Sequence, residues 1–269
     1  MHQRADVSSG MSTFTTMLIV ATLAGLATGL GAIPTLFGAR VSHRVYDAAL
    51  GLAAGIMVAA SVFGLIIPGT EVGTLGQVMA GIFVGGFVLL VGNRLIPHLH
   101  VRYVGWRGHG GAVDEEPAPI DERLRRAALV GGAITLHNAP EGLAIGIAFA
   151  AGLEEVALLL AVVIGVQNVP DGFAFAVPVS QAGVGAGKVL TYTTLSGVVP
   201  QVLAALVGFA LVGLAAGIFP LAAGFAAGAM LGVVFREMVP SSHGHGHADA
   251  ATAAFLVGFV LLVVIEAII

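Results

Sequence analysis

The chain has no cysteine, a single tryptophan and little charge: only 10% of its 269 residues are Asp, Glu, Lys or Arg. Without cysteine there are no disulfides, thiolate zinc sites or iron–sulfur clusters, so any bound metal must be held by oxygen and imidazole. The scarcity of charge sets the chain far from an ordinary soluble domain, in which about 25% of residues are charged. What fills the space is apolar: 57% of residues are hydrophobic. This is the composition of an all-α integral membrane protein. No run of basic residues suggests nucleic acid, and that class of partner is set aside.

A membrane helix needs about 20 apolar residues to cross the hydrocarbon core, and charge-free runs of that length recur. Residues 7–39, 48–70 and 72–93 carry no charge, which places three spans near 14–36, 47–68 and 75–97. A polar stretch at 98–126, rich in Gly, Pro and charge, follows as a flexible loop. Beyond it, 127–153 is interrupted only by Glu141 and 156–187 only by Asp171, giving spans four and five. The run from Val189 to Phe235 is too long for one helix and is expected to break at Gly217-Ile-Phe-Pro220, giving spans six and seven. A Gly-His loop at 241–250 precedes the last span, 251–269, where Glu266 is near enough to the end to snorkel. The first run is longer than the apolar stretch of a secretion signal and lacks an A-x-A site, so it is read as a span. The chain is expected to form a single domain, 1–269, of eight transmembrane helices.

Orientation follows from Lys and Arg, which gather in cytoplasmic loops. Arg40, Arg44, Arg94, Arg102, Arg107, Arg123, Arg125, Arg126, Lys188 and Arg236 all fall on one face, while Glu71, Glu154 and Glu155 lie on the other. Both termini should therefore be outside. Span two contains "GLAAGIMVAASVFGLIIP" (51–68) and span seven "GFAAGAMLGVVFREMVP" (224–240). Together with the similarity of spans four and five, this suggests inverted repeats, spans 1–3 and 6–8 around 4–5.

The chemistry lies in those two central spans. Residues 137–142 read "HNAPEG" and 167–172 read "QNVPDG". Residues four apart share a helix face, so His137 projects with Glu141 and Gln167 with Asp171. A carboxylate near mid-membrane costs roughly 2.5–3.5 kcal/mol on insertion scales unless it finds a partner. No Lys or Arg lies inside a span to provide one, since Arg94 and Arg236 sit at span ends. A metal cation or protons must supply the counter-charge. Pro140 and Pro170 lack the N–H that would bond the carbonyls of Leu136 and Val166, leaving those oxygens to line a site. Imidazole, amide and carboxylate together suit Zn(II), Fe(II), Mn(II) or related ions. One such motif reads equally as a buried histidine beside a proline kink; two on consecutive spans do not.

H-N-x-P-E-G on span four and Q-N-x-P-[DE]-G on span five resemble the ZIP (Zrt/Irt-like) divalent metal transporters, in their prokaryotic branch, over nearly the whole chain. The resemblance implies uptake of a divalent ion, zinc foremost and cadmium, iron or manganese besides, into the cytosol as transported substrate. It implies ligands at His137, Asn138, Glu141, Gln167, Asn168 and Asp171, and movement of spans one, four, five and six against two, three, seven and eight. Gly and Ala along the latter set would then form a smooth sliding surface. The expected location is a prokaryotic plasma or inner membrane, with the lipid bilayer, metal ions and a second copy in a homodimer as partners. Two departures stand out: Asp171 is shorter than the usual Glu, and "SGVVPQ" (196–201) puts Pro200 where relatives often have a glutamate. Gln201 beside it could turn an amide oxygen inward but brings no charge, so a single functional ion is expected.

Auxiliary groups are Met57, matching a pathway methionine of the family, and Glu237, expected at the cytoplasmic end of span seven beside Arg236. His243, His245 and His247 form an "HGHGH" tract of the kind that binds metal, on the same face as His98 and His100. Two rival readings remain: a metal-binding sensor or transport-impaired relative, and an intramembrane metalloprotease. The protease needs an H-E-x-x-H pair, and His137 is the one histidine inside a span.

Overall fold

The computed structural model describes residues 2–37, 42–95, 137–181, 183–214 and 216–268, and among them there are helices and no strand. The long helices are α1 (His2–Leu30), α2 (His43–Ser61, prolonged through Val62–Ile66 and Ile67–Val72) and α3 (Leu75–Leu95). After α4 (137–150) come α5 (Glu154–Gln181) and α6 (Ala186–Leu214). Then follow α7 (Phe219–Val233, prolonged through Val234–Met238 and Val239–Ser242) and α8 (Ala248–Ile268). Seven of the described helices are long and apolar enough to cross a membrane. The fourth expected span corresponds in part to α4, whose residues before 137 lie outside the described residues, as does the whole of the loop at 98–126 with His98 and His100. The break between α6 and α7 falls at the expected place, with a tight turn at Ala216–Ile218 and Pro220 in the first turn of α7, where its missing N–H costs nothing.

Small residues set the packing. A Cβ on Gly51 or Gly55 of α2 would strike the carbonyl oxygens of Ala251 and Phe255 on α8. On Gly224 or Gly228 of α7 it would strike those of Val78 and Ile82 on α3. The same offset along the chain separates Gly51 from Gly224, Gly55 from Gly228, Ala251 from Val78 and Phe255 from Ile82. The repeat glimpsed in two glycine-rich segments is thus a repeat of contacts, with α2 on α8 matching α7 on α3. The other helices obey the same exchange: Gly142 of α4 abuts the Gln201 carbonyl of α6, and Gly172 of α5 abuts that of Thr28 on α1. Thr28 and Gln201 stand at that offset too.

Two groups result, α1 with α4, α5 and α6, and α2 with α3, α7 and α8. Their glycines face inward to their own group, so the sliding surface expected from Gly and Ala on α2 and α7 is not made by Gly51, Gly55, Gly224 or Gly228. Between the groups, α2 lies on α5, where Gly64 meets the tip of the Leu160 side chain rather than backbone. Close backbone approach of this kind drives membrane helix association, since lipid offers no hydrophobic penalty for separation. Gly142→Leu should therefore destabilise the fold by at least about 1–3 kcal/mol, whereas Gly92→Leu, with open space around it, should cost little. Thermal unfolding of both variants in one detergent checks this; equal melting temperatures would show that the α4–α6 contact is not tight.

A second correspondence concerns the helix ladder itself. Both α2 and α7 widen into a π turn, at Val62–Ile66 and Val234–Met238, each beginning six residues before a proline, Pro68 and Pro240. The proline ring crowds the carbonyl four residues earlier and supplies no N–H to it. One extra residue in the turn relieves that conflict, and such bulges re-aim side chains at functional sites. In α7 the residue re-aimed is Glu237; its counterpart in α2 is Leu65.

Candidate metal site

The α4 and α5 motifs meet in the interior. His137, Asn138 and Glu141 of α4 and Gln167, Asn168 and Asp171 of α5 are all buried, Glu141, Gln167 and Asn168 completely. Asp171 lies close enough to act electrostatically on both His137 and Glu141. The Gln167 amide donates to Glu141 Oε1 at 2.5 Å, tying the two motifs together. Among the described residues no Lys or Arg pairs with either carboxylate.

The two asparagines are anchored elsewhere. Asn138 Nδ2 donates to the Ser196 carbonyl at 3.4 Å, and Asn168 Nδ2 to the Ala24 carbonyl and Gln201 Oε1, both at 2.9 Å. Gln201 Nε2 in turn donates to the Ala21 carbonyl at 3.1 Å. Gln201 is fully buried and both ends of its amide are in use, so it acts as a clasp joining α1, α5 and α6. This orientation leaves Asn168 Oδ1, Gln167 Oε1 and Glu141 Oε2 buried without hydrogen-bond partners. Buried polar atoms are normally satisfied. Unpartnered acceptor oxygens on facing helices are chemically suited to a cation.

Glu237 does not stand at the cytoplasmic end of its span as expected. The π turn brings it against the motif: its Oε2 lies 2.9 Å from His137 Nε2, bridging α7 and α4. The helix runs on past it to Ser242. Sequence reading missed this because a period of 3.6 residues does not anticipate the extra residue in the turn; Pro240 was the available signal. Met57 is fully buried in the core, with Ser61 Oγ bonded to its carbonyl. Among the described residues no three His, Asp or Glu side chains already enclose a common point. His137 is held by Glu237 and one oxygen of Glu141 by Gln167.

The "HGHGH" tract is not gathered into one group. His243 bonds to Ser242 Oγ and the Val239 carbonyl, each at 3.0 Å. His245 turns the other way, its Nδ1 2.6 Å from Asp47 Oδ1 on α2. Asp47 and His43 were not anticipated, although His-Arg-Val-Tyr-Asp at 43–47 has the same four-residue spacing as His137 and Glu141.

The fold is that of a helical membrane protein whose interior holds two carboxylates, three amides and an imidazole on neighbouring helices. The ZIP zinc transporter family model matches residues 106–266, and the chain belongs to that family. It is 37% identical over 259 residues to the zinc transporter GufA of Myxococcus xanthus, covering 93% of this chain and 97% of that one. Identity to the zinc transporter ZIPB of Bordetella bronchiseptica is also 37% over 259 residues, covering 89% and 77% respectively. To the zinc transporter ZupT of Corynebacterium aurimucosum it is 29% over 256 residues, covering 90% and 92%. These are transporters and not enzymes, which disposes of the metalloprotease reading.

Proposed function

We propose that the chain carries zinc into the cytosol of a prokaryotic cell through the α4–α5 site, one ion at a time, with cadmium, iron and manganese as lesser cargo. The observation that carries this reading is the set of unpartnered acceptors, Glu141 Oε2, Gln167 Oε1 and Asn168 Oδ1, beside His137 and Asp171 and with no basic partner among the described residues. Eight spans with both ends outside agree with the distribution of Arg and Lys and with α4 standing where the fourth span is expected. Alternating access by movement of α1, α4, α5 and α6 against the other four is supported by the two packing groups. Uptake of each ion into proteoliposomes tests the function. Binding without uptake of any ion would favour the sensor reading instead.

A single ion at this site follows from charge. Glu141 and Asp171 neutralise one divalent cation, Gln201 is neutral and engaged, and Pro200 offers no ligand. Replacing Pro200 by Glu should add one tightly bound zinc per chain over the wild type in equilibrium dialysis. An unchanged count would show that position 200 does not face the site.

A further inference from the structure

At the start of α2, His43 and Asp47 lie one turn apart on the same helix, and both meet His245 from the loop between α7 and α8. The Asp47 carboxylate is fully buried; one oxygen lies 2.6 Å from His245 Nδ1 and the other has no hydrogen-bond partner. The His43 ring stacks on that of His245, with centroids 4.7 Å apart and planes 18° apart. Tyr46 stands edge-on to His245 at 5.7 Å. Its hydroxyl donates to the carbonyl of Ala174 at 3.4 Å, and Ala174 follows Asp171 by less than one turn of α5. The group is separate from the α4–α5 site, shares no residue with it, and adjoins its far end.

We propose that His43, Asp47 and His245 form a second binding site for a divalent transition ion, a station next to the transport site. The proposal rests on the transport reading in that the ion it takes is the cargo. A carboxylate and two imidazoles are a common donor set for zinc, with water filling a fourth position. Bonds of about 2.0 Å in a tetrahedron separate donors by about 3.3 Å, so the Asp47–His245 contact need open only slightly to admit an ion in place of the shared proton. His43 is exposed, and a rotation of its ring out of the stack would bring a nitrogen to the ion. The buried Asp47 carboxylate then faces a cation rather than an imidazole alone, which accounts for a carboxylate buried at this position. His243, bonded to Ser242, Val239 and Thr252, takes no part.

The test is zinc binding to the full chain in detergent, read by equilibrium dialysis, with cobalt absorption reporting tetrahedral geometry. The transport site is first disabled by Glu141→Ala with Asp171→Asn. That background should retain one ion, and adding His43→Ala or Asp47→Asn should weaken it at least about 10-fold, while His243→Ala leaves it unchanged. Retention of the ion at equal affinity in both variants overturns the proposal, as does a background that binds none. His43→Ala removes an exposed side chain, so loss of binding there is not loss of fold. If instead the wild type takes up no ion into proteoliposomes, the transport reading fails, whatever the binding counts show.

Discussion

Glu141→Ala is expected to abolish zinc uptake while leaving the protein at least as stable as the wild type. The two effects have opposite signs because they have one cause. Glu141 is fully buried, one oxygen held by Gln167 and the other unpartnered, and the empty protein carries the cost of desolvating it. Removing the carboxylate relieves that cost. The same change strips the ion of a charged ligand, and breaking one side of a buried ion pair costs about 3–5 kcal/mol. At about 1.4 kcal/mol per decade this corresponds to roughly a 100- to 3,000-fold loss of affinity. Initial uptake rates in proteoliposomes, set beside melting temperatures of the same preparations, measure both quantities. Uptake retained within a factor of about three, on the same free-energy scale, would remove Glu141 from the site. A large fall in melting temperature would mean that the carboxylate serves the fold instead.

Much of this was legible in the sequence because the bilayer enforces it. Spans reveal themselves as charge-free runs, since a charge there is costly, and the exceptions, Glu141 and Asp171, for that reason mark the candidate site. The helix break before Pro220 follows from local rules alone. What stayed hidden depends on contacts between distant segments. Gln201 was seen as a candidate inward amide, but its engagement with Asn168 and Ala21 required three helices to be in place. Glu237 was assigned to a helix end, but the helix runs on to Ser242, and the π turn before Pro240 turns its side chain to His137. The histidine tract read as one unit, yet neighbouring loop residues need not share a direction, and His245 leaves His243 for Asp47, almost two hundred residues earlier in the chain. Glycine-rich stretches suggested a sliding surface, whereas the structure spends Gly51, Gly55, Gly224 and Gly228 on holding one group of helices together.

That last distinction makes the motion testable, and the absence of cysteine makes the test clean, because every thiol present will be an introduced one. Between the groups, Leu160 Cγ, one bond from its Cβ, lies 3.1 Å from where a Gly64 Cβ would sit. A Gly64→Cys, Leu160→Cys pair should form a disulfide joining α2 to α5. Two controls stay within a group: Gly69→Cys with Ala223→Cys joins α2 to α7 at a Cβ separation of 3.5 Å, and Gly165→Cys with Ala24→Cys joins α5 to α1 at 3.9 Å. Both separations fall in the ordinary disulfide range of about 3.5–4.5 Å. If transport requires the groups to move past one another, oxidation should stop uptake in the first pair and reduction restore it, with the controls transporting in both states. A covalent bond cannot yield to a shift of several ångströms, so the expected loss is complete rather than partial. Full uptake in the oxidised Gly64–Leu160 variant would rule out relative movement at this contact and favour passage of the ion through a fixed framework. Loss in all three oxidised variants would place the necessary motion inside the groups, against the close glycine contacts that hold them.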